Sequence, residues 1–218
     1  MGSEGPKLLL DVGGRTALEH VVRAFLAVDS VGEIVVTVPP ALLRDAERAV
    51  ASIPKPRAVR VGPVPGGATR QESVAIALRA LTVPLPWIAV HDVARALVSP
   101  DLIRRVAEAA RGCGAAIPAC PVKDSVKEVA EGRVVRSVPR EVLQAAQTPQ
   151  IFSRDILARA HARAAEEGVQ ATDDAALVER TGAPIAVVPG ESWNLKMTEP
   201  QDRVALAAIY GAGLAGER

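Results

Sequence analysis

The stretch Trp87-Ile-Ala-Val-His-Asp-Val-Ala-Arg95 places the chain's most reactive residue types at the end of an apolar run. Pro84 and Pro86 bound the run upstream, and it stops on His91, Asp92 and Arg95. In an open α/β sheet, ligands bind outside the carboxyl ends of the strands. A carboxylate and a guanidinium at such a point suit a phosphate and metal site. They equally suit a structural role, with Asp92 capping the next element and Arg95 as its salt-bridge partner. His91 is well placed, but Asp92 is the stronger candidate.

Other residues offer related chemistry. Lys7 follows Pro6 in a glycine loop, where a lysine neutralises phosphate charge or is simply solvated. Gly66-Gly67-Ala-Thr-Arg70-Gln-Glu-Ser73 leads into a helix. Backbone N–H groups of a glycine turn can approach a base or phosphate closely, and Ser73 can cap the helix or bond a ligand. The plain alternative is an ordinary loop-to-helix junction. Lys123-Asp-Ser125, Arg140 and Asn194-Leu-Lys196-Met-Thr198 add polar groups that also read as surface charge. His20 and His161 fall inside helical patterns and read as structural. No Ser-His-Asp order, metal-spaced histidine cluster or Walker lysine is present.

Alternating strands and helices must position these groups. Met1 to Lys7 reads as a loop, and Thr16-Ala-Leu-Glu19 as a capping box opening a helix. Strands are predicted at 33–38, from Arg57 to Val61, at Trp87 and the three residues after it, at 115–118 and at 184–188. Helices are predicted over about 41–52, 71–81, 100–111, 141–146 and 153–167, from Thr172 to Gly182, and from Pro200 at a helix N1 position. Pro63 to Gly67 reads as a loop, Thr148-Pro-Gln150 as a turn, and 194–198 as a short extended piece. This rhythm means βαβ units and a mostly parallel sheet. It breaks at about 120–140, where two strand-like runs joined by Ala130-Glu131-Gly132 signal a hairpin. Its charges suit a projecting arm, which can pack against a second subunit. No linker divides the 218 residues, so one domain is expected.

Composition narrows the function classes. Lys plus Arg is 26 against Asp plus Glu 25, so no global field attracts a polyanion. Two Trp, one Tyr and two Phe leave little to stack bases, which disfavours a nucleic-acid polymer as partner. Cys113 and Cys120 are too few for a disulfide framework or a zinc site and fit buried positions in a reducing compartment. There is no signal-peptide pattern and no apolar run long enough to span a bilayer. A cytoplasmic protein without membrane partners is expected.

Taken together, the motifs resemble the 2-C-methyl-D-erythritol 4-phosphate cytidylyltransferase family. The resemblance runs through nearly the whole chain. It rests on Met-Gly-x-x-x-Pro-Lys7, Gly-Gly followed by Leu-Glu-His20, Gly-Gly67 and Arg70-x-x-Ser73-Val, and His-Asp92-x-Ala-Arg95. It continues through Val-Lys-Asp-Ser125-Val-Lys, Arg140, Thr-Pro-Gln150-x-Phe, Thr172-Asp and Asn-x-Lys196-x-Thr. It implies a Rossmann-like α/β fold whose arms clasp a homodimer. It also implies transfer of CMP from CTP to 2-C-methyl-D-erythritol 4-phosphate with loss of pyrophosphate, a step in isoprenoid precursor biosynthesis. By the same resemblance, Lys7 stabilises the pentavalent transition state. Arg140, from the neighbouring subunit's arm, and Lys196 hold the incoming phosphate. Gly66, Gly67, Arg70 and Ser73 form the nucleotide side, with Gly67 and Ser73 reading the cytosine. Asp92 lies near Mg2+ and the phosphates, and Arg95, Ser125 and Thr148 contact the sugar phosphate.

Two alternatives stay open. One is a ribitol 5-phosphate cytidylyltransferase, which shares the CTP half of the motifs. The other is a non-catalytic relative that binds nucleotide weakly or not at all. The chain also departs from the family pattern. The family places a strand and Ala-Ala-Gly-x-Gly-x-Arg before Met-Gly, and this chain starts at that Met-Gly. That strand is central, so its loss is expected to leave two neighbours unpaired. The working protein is therefore expected to begin upstream of Met1, and a chain without that segment to be poorly stable and weakly active. Ala96 stands where the family has Pro, Val93 where it has a small residue, and Ser125 where Thr is common.

Overall fold

Thr16 caps the first helix, α1 (Ala17–Leu26): its hydroxyl accepts the Glu19 N–H, and the Glu19 carboxylate accepts the Thr16 N–H. The computed structural model describes residues 6–55 and 59–215. After α1 come β1 (Glu33–Val38), α2 (Leu43–Ser52), β2 (Arg60–Pro65), α3 (Arg70–Ala80), β3 (Trp87–Val90) and α4 (Pro100–Cys113). Then follow β4 (Ala115–Pro121), β5 (Val126–Ala130), β6 (Arg133–Val138), β7 (Gln144–Ala146), β8 (Gln150–Ser153), α5 (Arg154–Glu167), α6 (Asp174–Glu179), β9 (Ala186–Pro189) and α7 (Pro200–Gly211). Short 3-10 turns sit at Lys7–Leu9, Pro40–Leu42 and Arg140–Val142.

The α/β class holds, with helices against the sheets, but the strand directions are mixed. β1 pairs parallel with β2, and β4 pairs parallel with β9. β8 runs antiparallel to both β3 and β4, and β7 is antiparallel to β4. The cause is the arm. It returns the chain toward β4 in the opposite direction, and the short link at 147–149 cannot supply the long crossover a parallel neighbour needs.

Several boundaries differ from the sequence expectation. Gln144–Ala146 is a strand, although Gln and Ala favour helix; pairing with Ala119–Pro121 overrides propensity. Gln150–Ser153 is a strand rather than a turn leading to a helix. Pro63 and Pro65 lie inside β2, where prolines are tolerated because, among the described residues, this strand pairs only with β1. The predicted strand start at Arg57 and most of the predicted loop at 1–7 fall outside the described residues. Residues 194–198 form no strand; the Met197 N–H donates to the Ala94 carbonyl at 2.8 Å and pins this segment beside Asp92.

The core is aliphatic. Leu18, Val22, Val38 and Val50 pack on the β1 side. Leu102, Val106 and Ile151 pack between α4 and the sheet, and Phe152, Leu157 and Val178 pack beneath α5 and α6. Between the two halves the sheet is divided. Among the described residues, β1 pairs only with β2 and β3 only with β8. Residues of both strands line one cavity of about 630 Å³, together with Val74, Ala77 and Leu78 of α3. No residue of α3 is fully buried.

The arm is the β5–β6 hairpin. Its tip has Glu131 at φ 49° and Gly132 at φ 73°, the two positive values a tight type I′ turn requires. Val129, Val134 and Val135 on it are 57%, 64% and 58% exposed.

Candidate functional site

β3 delivers His91 and Asp92 at its carboxyl end, where the strand's apolar burial stops. The His91 Nε2 lies 3.2 Å from the Arg95 carbonyl, which can only accept, so Nε2 carries the proton. Nδ1 then accepts from the Thr148 hydroxyl at 3.0 Å, and that hydroxyl oxygen accepts the Asp92 N–H at 3.1 Å. Burial pushes the imidazole down to about 4, against the opposing hydrogen bond to Arg95 and the charge of Asp92. His91 is therefore a neutral brace that fixes Thr148 and the turn into Arg95.

The Asp92 carboxylate is clamped on both oxygens. Oδ1 accepts from Arg70 Nε at 3.1 Å, and Oδ2 from Lys196 Nζ at 2.8 Å. Burial alone would raise its pKa; the Lys196 hydrogen bond and the Arg70 and Lys196 charges outweigh that and hold it below the usual carboxylate range. Arg70 reaches further: its Nη1 donates to Asp174 Oδ2 at 2.7 Å, and Asp174 Oδ1 lies 2.8 Å from His161 Nε2.

Lys7 and Arg95 join from opposite directions. Lys7 Nζ donates to the Met197 and Thr198 carbonyls at 3.0 and 3.1 Å, which ties it to the segment bearing Lys196. Arg95 donates to the Asn194 carbonyl at 2.8 Å and the Ala146 carbonyl at 3.2 Å. The fully buried Asn194 donates to the Thr148 carbonyl at 2.9 Å, so one residue secures both Arg95 and Thr148.

The glycine turn before α3 is built differently from the sequence expectation. Thr69, not Ser73, caps α3, in a capping box with Glu72. The Ser73 hydroxyl donates to the Thr69 carbonyl at 2.9 Å and accepts the Gly67 N–H at 3.1 Å. The Gly66 N–H donates to the Val38 carbonyl at 2.8 Å, and the Ala68 and Thr69 N–H groups go to Glu72. A Cβ on Gly67 would lie 2.4 Å from the Glu72 Cβ, so only glycine fits there.

The fold thus brings Lys7, Arg70, Asp92, Arg95, Thr148 and Lys196 into one neighbourhood, with Gly66, Gly67 and Ser73 at the start of α3. Ser125 and Arg140 are elsewhere in the chain. They lie at the base of the arm, lining a shallow hollow of about 390 Å³, with Arg140 donating to the Lys123 carbonyl. Sequence reasoning missed Asp174, named Asn194 only as part of the Lys196 segment without a role, and took His161 as structural. The signal for Asp174 was the doubled carboxylate Asp173-Asp174 at a helix start where one cap suffices.

Among the described residues, no three His, Cys, Asp or Glu side chains gather to hold a metal. Asp92 at the cleft suits a hard cation that takes its other ligands from phosphates and water, as Mg2+ commonly does.

Comparison with known proteins follows this geometry. A family model described as 2-C-methyl-D-erythritol 4-phosphate cytidylyltransferase matches residues 1–211. The enzyme of that name from Thermus thermophilus is 44% identical over 211 residues, covering 95% of this chain and 92% of that protein. The Synechocystis enzyme of the same name is 40% identical over 212 residues, covering 97% and 91%. The crystal structure of the Thermus thermophilus enzyme superposes with a TM-score of 0.79 at 42% identity, covering 94% of this chain and 93% of that chain. That of 4-diphosphocytidyl-2C-methyl-D-erythritol synthase from Anaerococcus prevotii superposes at 0.86 with 25% identity, covering 96% and 95%.

Proposed function

The chain belongs to the 2-C-methyl-D-erythritol 4-phosphate cytidylyltransferase family, and we propose that it transfers CMP from CTP to 2-C-methyl-D-erythritol 4-phosphate, giving 4-diphosphocytidyl-2-C-methyl-D-erythritol. The observation that carries this reading is the convergence of Lys7, Arg70, Asp92 and Lys196 at the carboxyl end of β3.

In the reaction an acceptor phosphate oxygen attacks the α-phosphorus of CTP. The bond from that phosphorus to its bridging oxygen breaks, and pyrophosphate leaves with the electron pair. The crowded phosphorus gathers negative charge, so catalysis is alignment plus neutralisation. Lys7 and Lys196 supply positive charge, and Arg70 a guanidinium held between Asp92 and Asp174. Arg95 and Thr148 are placed to meet the sugar phosphate, with His91 and Asn194 holding them in register.

The glycine turn favours cytosine. The N–H groups of Gly66, Gly67, Ala68 and Thr69 are all engaged, Gly66 with the end of β1 and the others with Ser73 and Glu72 of α3. What this turn offers a base is acceptors, namely carbonyls and the Ser73 oxygen. Acceptors suit the 4-amino group of cytosine and not the 4-oxygen of uracil. Mg2+ would arrive with the triphosphate, with Asp92 beside it, and would offset phosphate charge.

Ser125 and Arg140 fit the reaction through a homodimer in which the arm reaches the neighbouring cleft. The exposed Val129, Val134 and Val135 support that assembly, since an isolated hairpin seldom shows so much apolar surface to water. No helix among the described residues is long and apolar enough to cross a membrane, and the reading places the chain in the cytoplasm.

The test is pyrophosphate release from CTP and Mg2+ with 2-C-methyl-D-erythritol 4-phosphate, against ribitol 5-phosphate and against UTP as donor. Turnover with the first acceptor and CTP alone is expected. Turnover with ribitol 5-phosphate alone, or with neither acceptor, would overturn the reading.

A further inference from the structure

We propose that Asp174 is a positioning residue for this reaction: it holds Arg70, and through Arg70 it sets Asp92 and Lys196 at the cleft. The inference rests on the proposed cytidylyltransferase activity. It follows from a continuous line of alternating groups, Lys196–Asp92–Arg70–Asp174, ended by His161. Side-chain exposure is 45% at the Lys196 end, 17% at Asp92, 33% at Arg70 and nil at Asp174. The line therefore runs from the solvent edge of the cleft into the core.

Helix capping does not explain Asp174. The cap of α6 is Asp173, whose carboxylate accepts the Ala176 N–H. A fully buried carboxylate loses its hydration, and an ion pair at such a place is often no more stabilising than apolar residues of the same volume. Both Asp174 oxygens are nonetheless aimed: Oδ2 at Arg70 and Oδ1 at His161. The platform beneath is rigid. Gln150 on β8 donates to Asp173 Oδ2 at 2.8 Å and accepts the Ala175 N–H at 3.0 Å, bracketing Asp174 on both sides.

The consequence for Arg70 is orientation. Its Nε faces Asp92, its Nη1 faces Asp174, and its buried Nη2 has no hydrogen-bond partner while the residue lines the cavity beside Asp92. A guanidinium gripped from behind by one carboxylate cannot turn with the other. Asp92 is thereby kept under Lys196. His161 acts in the same way from deeper in the core, fixing the Asp174 carboxylate.

Steady-state kinetics on wild type, Asp174→Asn, Arg70→Ala and the double variant test this, with thermal melts as the folding control. Asp174→Asn should lower kcat roughly 10- to 100-fold. In the Arg70→Ala background it should change kcat by less than about threefold, because the effect passes through Arg70. A wild-type rate in Asp174→Asn, or effects that multiply in the double variant, would overturn the proposal. If Asp174→Asn does not fold, His161→Leu should lower kcat and His161→Gln, which keeps a donor at the Nε2 position, should restore it; equal rates in the two would overturn it. If wild type itself releases no pyrophosphate, the functional reading has failed separately. The positioning claim is then read by NMR from the Arg70 Nε–H, expected to exchange slowly in wild type and quickly in Asp174→Asn or His161→Leu. Equal exchange would overturn it.

Discussion

His91 works at this site by staying uncharged. Its unfolded-state pKa is 6.5, and burial takes the folded ring to about 4. Between these values the unfolded chain binds the proton and the folded chain does not, so stability falls as pH drops through that window. The shift corresponds to at most about 3 kcal/mol, reached near pH 4. Asp92 acts in the same direction but lower: its folded pKa is depressed, so its contribution is present above 3.8 and lost below it. Thermal unfolding of wild type and His91→Asn from pH 4 to 7 separates them. The wild type should lose stability relative to the variant as pH falls below 6.5, and parallel curves would mean that the ring is not the buried neutral brace described. Lys196 is the contrasting case. It is half-exposed, so Lys196→Ala should move the melting temperature by only a few degrees, while on the proposed mechanism the loss of its charge should lower kcat roughly 100- to 1,000-fold. Asp92 and Arg95 drew attention because they end an apolar run, whereas Lys7 and Lys196 read equally as surface charge and entered the candidate site only through the family resemblance. Asp174 did not stand out, because a carboxylate at a helix start already has a structural explanation.

At the scale of elements, local chemistry was legible and long-range pairing was not. The capping box of α1, the start of α4 at Pro100, and the turn at Glu131-Gly132 follow from a few adjacent residues. β7 and β8 depend on β4 and β3, far away in sequence, and nothing local in Gln144-Ala-Ala146 announces a strand. The start of α3 lies between these cases. The sequence Thr69-x-x-Glu72 is a capping box, yet Ser73 drew attention as the candidate cap. Glu72 ties the cap and the glycine turn into one unit, and the proposed function has that turn read the base. Thr69→Ala should therefore cost about 1 kcal/mol of stability and also raise KM for CTP. Gly67→Ala should be worse for CTP, because its Cβ would force Glu72 away and release the Ala68 and Thr69 N–H groups as donors. The measurement is KM for CTP and for UTP in both variants. A Gly67→Ala variant that keeps its full preference for CTP would show that the engaged donors are not what selects cytosine.

The whole molecule is organised by two unfinished surfaces. One is the arm, whose valines face solvent in the single chain; Val134→Asp with Val135→Asp should shift sedimentation from dimer to monomer if the arm is the contact between subunits. The other is internal. β1 and β3 each pair on one side, and both border the same apolar cavity, so main-chain groups along them face space rather than a neighbouring strand. In a strand, successive N–H groups point to opposite edges. Alternate amides of Glu33–Val38 point toward β2 and are bonded there; the others point toward the cavity, where no strand among the described residues pairs with them. Hydrogen exchange should therefore show a period of two along β1 and again along Trp87–Val90, slow where the amide meets β2 or β8 and fast between. A helix-like or uniform pattern would contradict the divided sheet. Uniformly slow exchange along both strands would have a specific meaning: a further extended segment lies between them and bonds to each, because no side chain of α3 can satisfy two rows of backbone groups at strand spacing.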